Sequence, residues 1–258
     1  MTWRRGKMAP ITINRHNIFQ WLKFGLLEIG RVIRALFTRS GGRVTAVTRF
    51  VEEHAECGNP DSVLDAIDTF SYEQRFLMNV GDEKGEILLR HLKEAKAANV
   101  LELGAYCGYS AVLMGKELAS KGGRLVSIEA SDHNTQMARR VVARAGLSKT
   151  VEFQVGKASE RIDQLEGPFD LVFIDHWKDD YLSDLMRLQD NGLLRPGSRI
   201  VADNVGIFSK ALEPYLSYVR ESEEFHSIHY PTRMEYNDSI DDGVEVSIWR
   251  PSPDEIAA

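Results

Sequence analysis

The chain has 258 residues, 43% of them hydrophobic and 27% charged, with a formal net charge of −6. These values exclude a wholly disordered chain and leave room for one large α/β domain or at most two small ones. Its two cysteines, Cys57 and Cys107, are too few for a disulfide framework and predict a reducing, cytoplasmic setting.

The charge is unevenly spread. Residues 1–50 hold ten Lys and Arg against the single acid Glu28, a net +9, so residues 51–258 carry −15. An acidic body is a poor general binder of nucleic-acid phosphates. Residues 1–16 are expected to be poorly ordered. Residues 17–38 place Ile18, Leu22, Leu26, Ile29, Ile33 and Phe37 at helical spacing, with Gln20, Lys23, Arg31, Arg34 and Arg39 mostly opposite. The charges argue against a membrane span. Two readings stay open: a basic amphipathic helix lying on an anionic membrane surface, and a helix packed on the domain or in a dimer contact, the commoner case. The expected division is a basic extension over 1–45 and a catalytic domain over 46–258.

Helical patterns follow at about 44–56, 60–76 and 82–96, punctuated by Gly58-Asn59-Pro60. Regular alternation then sets in. Val100–Leu103, Leu125–Ile128, Val151–Val155, Leu171–Ile174 and Ser198–Ala202 read as strands. Helices are expected over 108–120, 132–145, 158–165, 179–191 and 209–221. Alternation of this kind predicts a doubly wound α/β fold with a mostly parallel sheet. Phe225–Tyr230 and Val244–Trp249 have no helix between them, so an antiparallel pair is expected at the C-terminal end.

Two acidic clusters sit just past buried strands: Asp175-His176-Trp177-Lys178 and Asp203-Asn204. Two carboxylates and an amide at neighbouring strand ends make a hard oxygen site suited to Mg²⁺. Lys178, three residues past Asp175, is a candidate base beside that metal. After the first strand, Glu102-Leu103-Gly104-Ala105-Tyr106-Cys107-Gly108-Tyr109-Ser110 opens a helix. Gly104 and Gly108 are four apart with no middle glycine, which disfavours a dinucleotide pyrophosphate and suits a smaller anion such as an amino-acid carboxylate. Glu129 ends the second strand, where an acid can take both hydroxyls of a ribose. Ribose plus amino-acid carboxylate suggests S-adenosylmethionine.

The run VLELGAYCGYSAV (Val100–Val112) resembles the cofactor loop of the catechol O-methyltransferases. So do MNVGDEKG (Met78–Gly85), FIDHWKDDYL (Phe173–Leu182), GLLRPG (Gly192–Gly197) and ADNV (Ala202–Val205). The likeness spans about residues 60–250 and implies a Rossmann-like class I methyltransferase domain. It implies Mg²⁺ held by Asp175, Asp203 and Asn204, with Lys178 as general base and Glu235 holding the second catechol hydroxyl. It further implies S-adenosylmethionine contacts at Val80, Glu102, Gly104, Tyr106, Ser110, Glu129, Ala130, Ala158, Ser159, Asp175, His176 and Trp177. The small-molecule catechol would be met by Phe76, Met78, Trp177, Lys178, Asn204, Phe208 and Glu235. Three positions depart from the family pattern. Phe76 stands where a tryptophan is usual and Phe208 near a usual proline, which points to an altered acceptor pocket. Ala158-Ser159 replaces a serine-glutamine pair and weakens the adenine contact. The same chemistry on another vicinal diphenol, and a non-catalytic cofactor-binding scaffold, remain as alternatives.

Overall fold

The computed structural model describes residue 18, residues 20–26 and residues 42–251. Three helices lead, α1 (Arg43–His54), α2 (Pro60–Glu73) and α3 (Gly81–Glu94). Strands and helices then alternate: β1 (Asn99–Leu103), α4 (Tyr109–Ala119), β2 (Arg124–Glu129), α5 (Asp132–Arg144), β3 (Val151–Val155) and the short α6 (Ala158–Arg161). They continue with β4 (Phe169–Ile174), α7 (Tyr181–Asp190), β5 (Leu194–Ala202) and α8 (Glu213–Glu221). A long hairpin, β6 (Phe225–Met234) and β7 (Asn237–Trp249), ends the domain. Local chemistry marks several starts. Asn59 accepts the Ser62 N–H ahead of Pro60, and Ser131 accepts the Asn134 N–H at the head of α5.

The seven strands lie in the order β3-β2-β1-β4-β5-β7-β6. Pairings among β1–β5 are parallel; β7 runs antiparallel to both β5 and β6. This is the expected doubly wound sheet with an antiparallel C-terminal end. Side chains alternate between the faces with the strand period. Leu171 and Phe173 of β4 join the core under α1–α5, while Val172 and Ile174 join the core under α7 and α8. β4 is buried on both faces, which is why its sequence reads as an unbroken apolar run after Asp170. Asp170 itself accepts the Ala98 and Asn99 amides at 2.7 and 2.9 Å.

Several expectations are corrected in detail. The helix expected from 209 starts at Glu213, with Pro214 in its first turn, and turns occupy the stretch before it, including Phe208. α2 ends at Glu73, three residues early. The expected domain boundary after residue 45 falls inside α1, whose Val44, Val47 and Val51 share one core. Residues 20–26 are helical, but the stripe Ile18, Leu22 and Leu26 is 51%, 60% and 70% exposed. Trp21 and Phe24 pack on the domain instead. The rest of the expected helix, and the expected disorder of residues 1–16, lie outside the described residues. Among the described residues no helix is long and apolar enough to cross a membrane.

The close approach of the chain just past the paired ends of β1 and β4 leaves no room for a side chain at residue 104. Gly104 has φ +102°, and a Cβ there would sit 2.5 Å from the Asp175 carbonyl oxygen. Gly104→Ala therefore combines backbone strain with a clash against main chain. We predict a loss of at least about 2 kcal/mol, read by urea unfolding. An unchanged midpoint would refute the close approach.

Candidate active site

The ladder runs one residue past each central strand. Gly104 N–H donates to Ile128 O at 2.9 Å, Asp175 N–H to Leu103 O at 2.9 Å, and Asp203 N–H to Ile174 O at 3.1 Å. Glu129, Gly104, Asp175 and Asp203 thus form a row along the carboxyl edge of the sheet. Chain order reverses between β1 and β4, the place where open α/β sheets take ligands.

One half of the row is built from backbone and hydroxyls. Glu129 accepts the Ala105 and Tyr106 amides at 3.2 and 3.0 Å through Oε2, and the Ser131 amide at 2.9 Å through Oε1. Its carboxylate is therefore held rigidly at the end of β2. Tyr106 takes φ +47°, and Gly108 at the head of α4 takes φ +89°. A Cβ on Gly108 would lie 3.2 Å from the Ala138 backbone. Glu102 is wholly buried and accepts the hydroxyls of Ser110, at 2.5 Å, and Ser127. Burial raises its pKa to about 7, against those two hydrogen bonds, which lower it. Cys107, buried in the same turn, has its thiol pushed up to about 12 by burial, so it is no nucleophile. Val80 and Ala158 are buried, Ser159 is partly buried and Ala130 is exposed.

The other half is acidic. Lys178 is not a surface lysine: it is 8% exposed, and its Nζ donates to Asp175 Oδ1 at 2.9 Å and to the Tyr181 hydroxyl at 2.7 Å. Tyr181 in turn donates to Asp203 O at 3.3 Å. Lys178 Nζ also stands 5.5 Å from the Phe208 ring centroid. His176 is oriented by Asp184, with Nε2 2.7 Å from Oδ2, and stacks on Tyr181. Trp177 is 42% exposed, so it is a surface aromatic and not part of the core.

Glu235 is likewise no solvated loop acid; it is buried at 4% exposure, and Asp242 equally so. Lys84, fully enclosed, places its Nζ 2.7 Å from Asp203 Oδ1, 2.9 Å from Asp242 Oδ2 and against Glu235 Oε1. Burial would discharge this amine, but the attraction of Asp203, Asp242 and Glu235 outweighs it and keeps the ammonium charged. Asp203, Glu235 and Asp242 lie close enough to grip an ion, yet the lysine already sits among them. The Asn204 side-chain amide donates to Glu235 Oε1 at 2.8 Å and to Asp242 Oδ2 at 3.1 Å. That fixes which way the amide points: its nitrogen toward the acids, its oxygen away from them. Asn204 has φ +59°, an uncommon conformation outside glycine. Asp242 Oδ1 meanwhile accepts the Gly206 and Ile207 amides at 3.1 and 3.0 Å, clamping the loop that carries Phe208.

Of the buried oxygens left without a partner among the described residues, three lie in this cluster: Asp203 Oδ2, Asn204 Oδ1 and Glu235 Oε2. Buried polar atoms are normally satisfied. A set of orphaned hard oxygens beside Asp175, in a cluster with more carboxylates than ammonium groups, fits a divalent cation and a hydroxyl donor.

The sequence missed Lys84, Asp242, Tyr181 and Asp68. Tyr236, at φ +54° beside Glu235, lies 2.7 Å from Asp68 Oδ1 through its hydroxyl, and Tyr109 donates to the other Asp68 oxygen at 3.1 Å. Burial lifts Asp68 to about 6. Lys84 stood inside the quoted string MNVGDEKG, the one available signal; Asp242 was one of several acids in a loop.

The chain is similar in sequence and in fold to known proteins. Residues 57–248 match the family model described as O-methyltransferase. The chain is 40% identical over 215 residues to a catechol O-methyltransferase from Mus musculus, covering 81% of this chain and 80% of that one. It is 40% identical over 225 residues to catechol O-methyltransferase B from Danio rerio, covering 84% and 83%. Among solved structures it resembles an O-methyltransferase from Streptomyces achromogenes crystallised with SAM, at TM-score 0.64 and 23% identity, covering 73% of this chain and 90% of that one. This last likeness is one of fold alone.

Two outcomes follow from the buried charges. Lys84→Met leaves Asp203, Glu235 and Asp242 without their counter-ion, and we predict a loss of roughly 3–5 kcal/mol at pH 8 in chelator. Asp203 and Glu235 are already held above their ordinary range by burial. Without the lysine they protonate more readily, so the deficit shrinks as pH falls to 5; a deficit independent of pH would contradict the cluster. Glu102 has a folded-state pKa of about 7, above its unfolded value of 4.5. Its favourable contribution is complete below the unfolded value and is lost as pH rises through about 7. In cofactor-free protein Glu102→Gln should flatten the fall in melting temperature between pH 5 and 8. An identical slope in both proteins would exclude Glu102 as its source.

Proposed function

The chain belongs to the O-methyltransferase family, and we propose that it transfers the methyl group of S-adenosylmethionine to one hydroxyl of a catechol beside a bound Mg²⁺. The observation that carries this reading is the row Glu129, Gly104, Asp175, Asp203, with the orphaned oxygens of Asp203, Asn204 and Glu235 at its acidic end. Relatives named for the same reaction support it.

In this reading Glu129 takes the ribose hydroxyls, and the head of α4 with Ser110 takes the amino-acid end of the cofactor. Its positive charge would hold Glu102 ionised. Val80, Tyr106, Ala130, His176 and Trp177 surround the rest, and Ala158 and Ser159 flank the adenine. Asp175, Asp203 and Asn204 would hold Mg²⁺, which when bound lowers the pKa of a coordinated hydroxyl. Lys178, anchored by Asp175 and the Tyr181 hydroxyl, takes the proton of the reacting hydroxyl. Glu235 Oε2 accepts a hydrogen bond from the second hydroxyl. Phe76, Met78, Trp177 and Phe208 border the ring. The catecholate oxygen then forms its bond to the methyl carbon as the carbon–sulfur bond breaks, and the sulfur keeps the electron pair. Alignment and charge placement supply the catalysis, with no covalent enzyme intermediate.

Phe76 and Phe208 favour a vicinal diphenol of unusual shape as the acceptor. The acidic body makes a nucleic-acid substrate unnecessary to this account. The catalytic unit is taken to begin at the start of α1 and not after residue 45, with the basic segment before it. The exposed Ile18, Leu22 and Leu26 support a peripheral contact of residues 17–38 with an anionic membrane.

We expect labelled methyl to pass from S-adenosylmethionine to catechols and not to monophenols, and to be lost with chelator and in Asp175→Ala. Lys178→Ala should slow turnover by about 10²–10⁴-fold. Equal methylation of monophenols, or transfer unaffected by chelator, would sink the metal-chelation reading. Replacing Leu22 and Leu26 by Asp should abolish sedimentation of the full chain with anionic vesicles; equal sedimentation of both proteins would end the membrane contact.

A further inference from the structure

Residues 20–26 lie outside the 57–248 matched by the family model, yet they reach the acceptor side of the domain. Phe24 meets Phe76 edge to face, with ring centroids 5.0 Å apart at 86°. Trp21 backs Phe24 in the same manner, at 6.0 Å and 87°. Phe76 is only 4% exposed and belongs to the cluster that also contains Phe208 and Met234. Lys178 Nζ stands 5.0 Å from the Tyr181 ring centroid and 5.5 Å from that of Phe208, and both rings share one apolar cluster with Phe76, on which Phe24 packs.

Phenylalanine is smaller than the tryptophan that the family resemblance leads one to expect at residue 76. A smaller ring on its own would leave a gap, and interiors tolerate gaps poorly. Here the neighbouring volume is taken by Phe24, whose edge against Phe76 limits how far that ring can swing. We propose that Phe24 is a positioning residue that sets acceptor selectivity through Phe76. It holds the wall closed, so that the site takes flat diphenols with small ring substituents and rejects those with bulk beside this wall. This rests on the catechol reading above.

The test uses the full chain with Mg²⁺ and S-adenosylmethionine, and compares kcat/KM for 4-methylcatechol and 4-tert-butylcatechol. Wild type should favour the smaller acceptor. Phe24→Ala should lower that preference at least about 10-fold, mainly through KM, with cofactor affinity by calorimetry unchanged. Phe76→Trp placed in the Phe24→Ala protein should restore the preference, because the larger ring fills the vacated space; the change in KM for the bulky acceptor at unchanged cofactor affinity separates this from a merely structural defect. Phe24→Leu serves if the alanine variant is insoluble, with a smaller shift in the same direction. Equal use of both acceptors by wild type, an unchanged preference in the Phe24 variants, or no rescue by Phe76→Trp would overturn the assignment. Absence of turnover by wild type on any diphenol would overturn the functional reading itself, which separates the two failures.

Discussion

The register of the parallel ladder is the constraint on which the site depends. Leu103 pairs with Ile128 on one side and Ile174 on the other, and Ile174 pairs with Ala202. Each residue after these therefore emerges at the same edge. A slip of one residue on β4 would turn Asp175 to the opposite face and separate it from both Gly104 and Asp203. The acids that bound the run help to hold the register: Asp170 is fixed by the Ala98 and Asn99 amides, and a slip would break those bonds and draw an acid into the buried span. The glycine at 104 is the local cost of bringing two strand ends into contact.

A second layer of order comes from buried charge. Lys84 enters from α3, Asp203 from the end of β5, and Glu235 and Asp242 from the β6–β7 hairpin. An ammonium shared among three acids ties elements far apart in sequence, and no member can leave without stranding the others. Asp242 has a double task. Burial alone would lift its pKa, but Lys84, the Ile207 amide and Asn204 hold it below the usual range. As an anion it both orients the Asn204 amide and clamps the loop bearing Phe208. The hairpin is thus a part of the site and not only an edge of the sheet.

Much of this was legible in advance. The order of apolar runs predicted the alternating α/β fold, and the position of Asp175, Asp203 and Asn204 just past such runs predicted that their side chains meet along one edge of the sheet. Glu129 was legible for the same reason. Glu235 was legible only through family resemblance, because one acid among Asp238, Asp241 and Asp242 carries no mark of burial. Residues 20–26 show the reverse failure. Helical spacing marked Ile18, Leu22 and Leu26 as an apolar face, for a membrane surface or for packing; the residues that pack on the domain are Trp21 and Phe24, with Phe24 against Phe76 and Trp21 against Phe24.

What the sequence determined by itself is therefore whatever depends on periodicity and on position relative to a strand end. Those include the fold class and the row of polar residues along the carboxyl edge of the sheet. What only the tertiary structure decided is which polar groups are shut away from water and what they face there. Lys84 and Asp242 look like surface charges in a linear chain, since nothing local distinguishes a solvated lysine from one enclosed by acids 119 to 158 residues away. Burial is a property of the whole packing, and the charge state, amide orientation and unsatisfied oxygens of this cluster all follow from it.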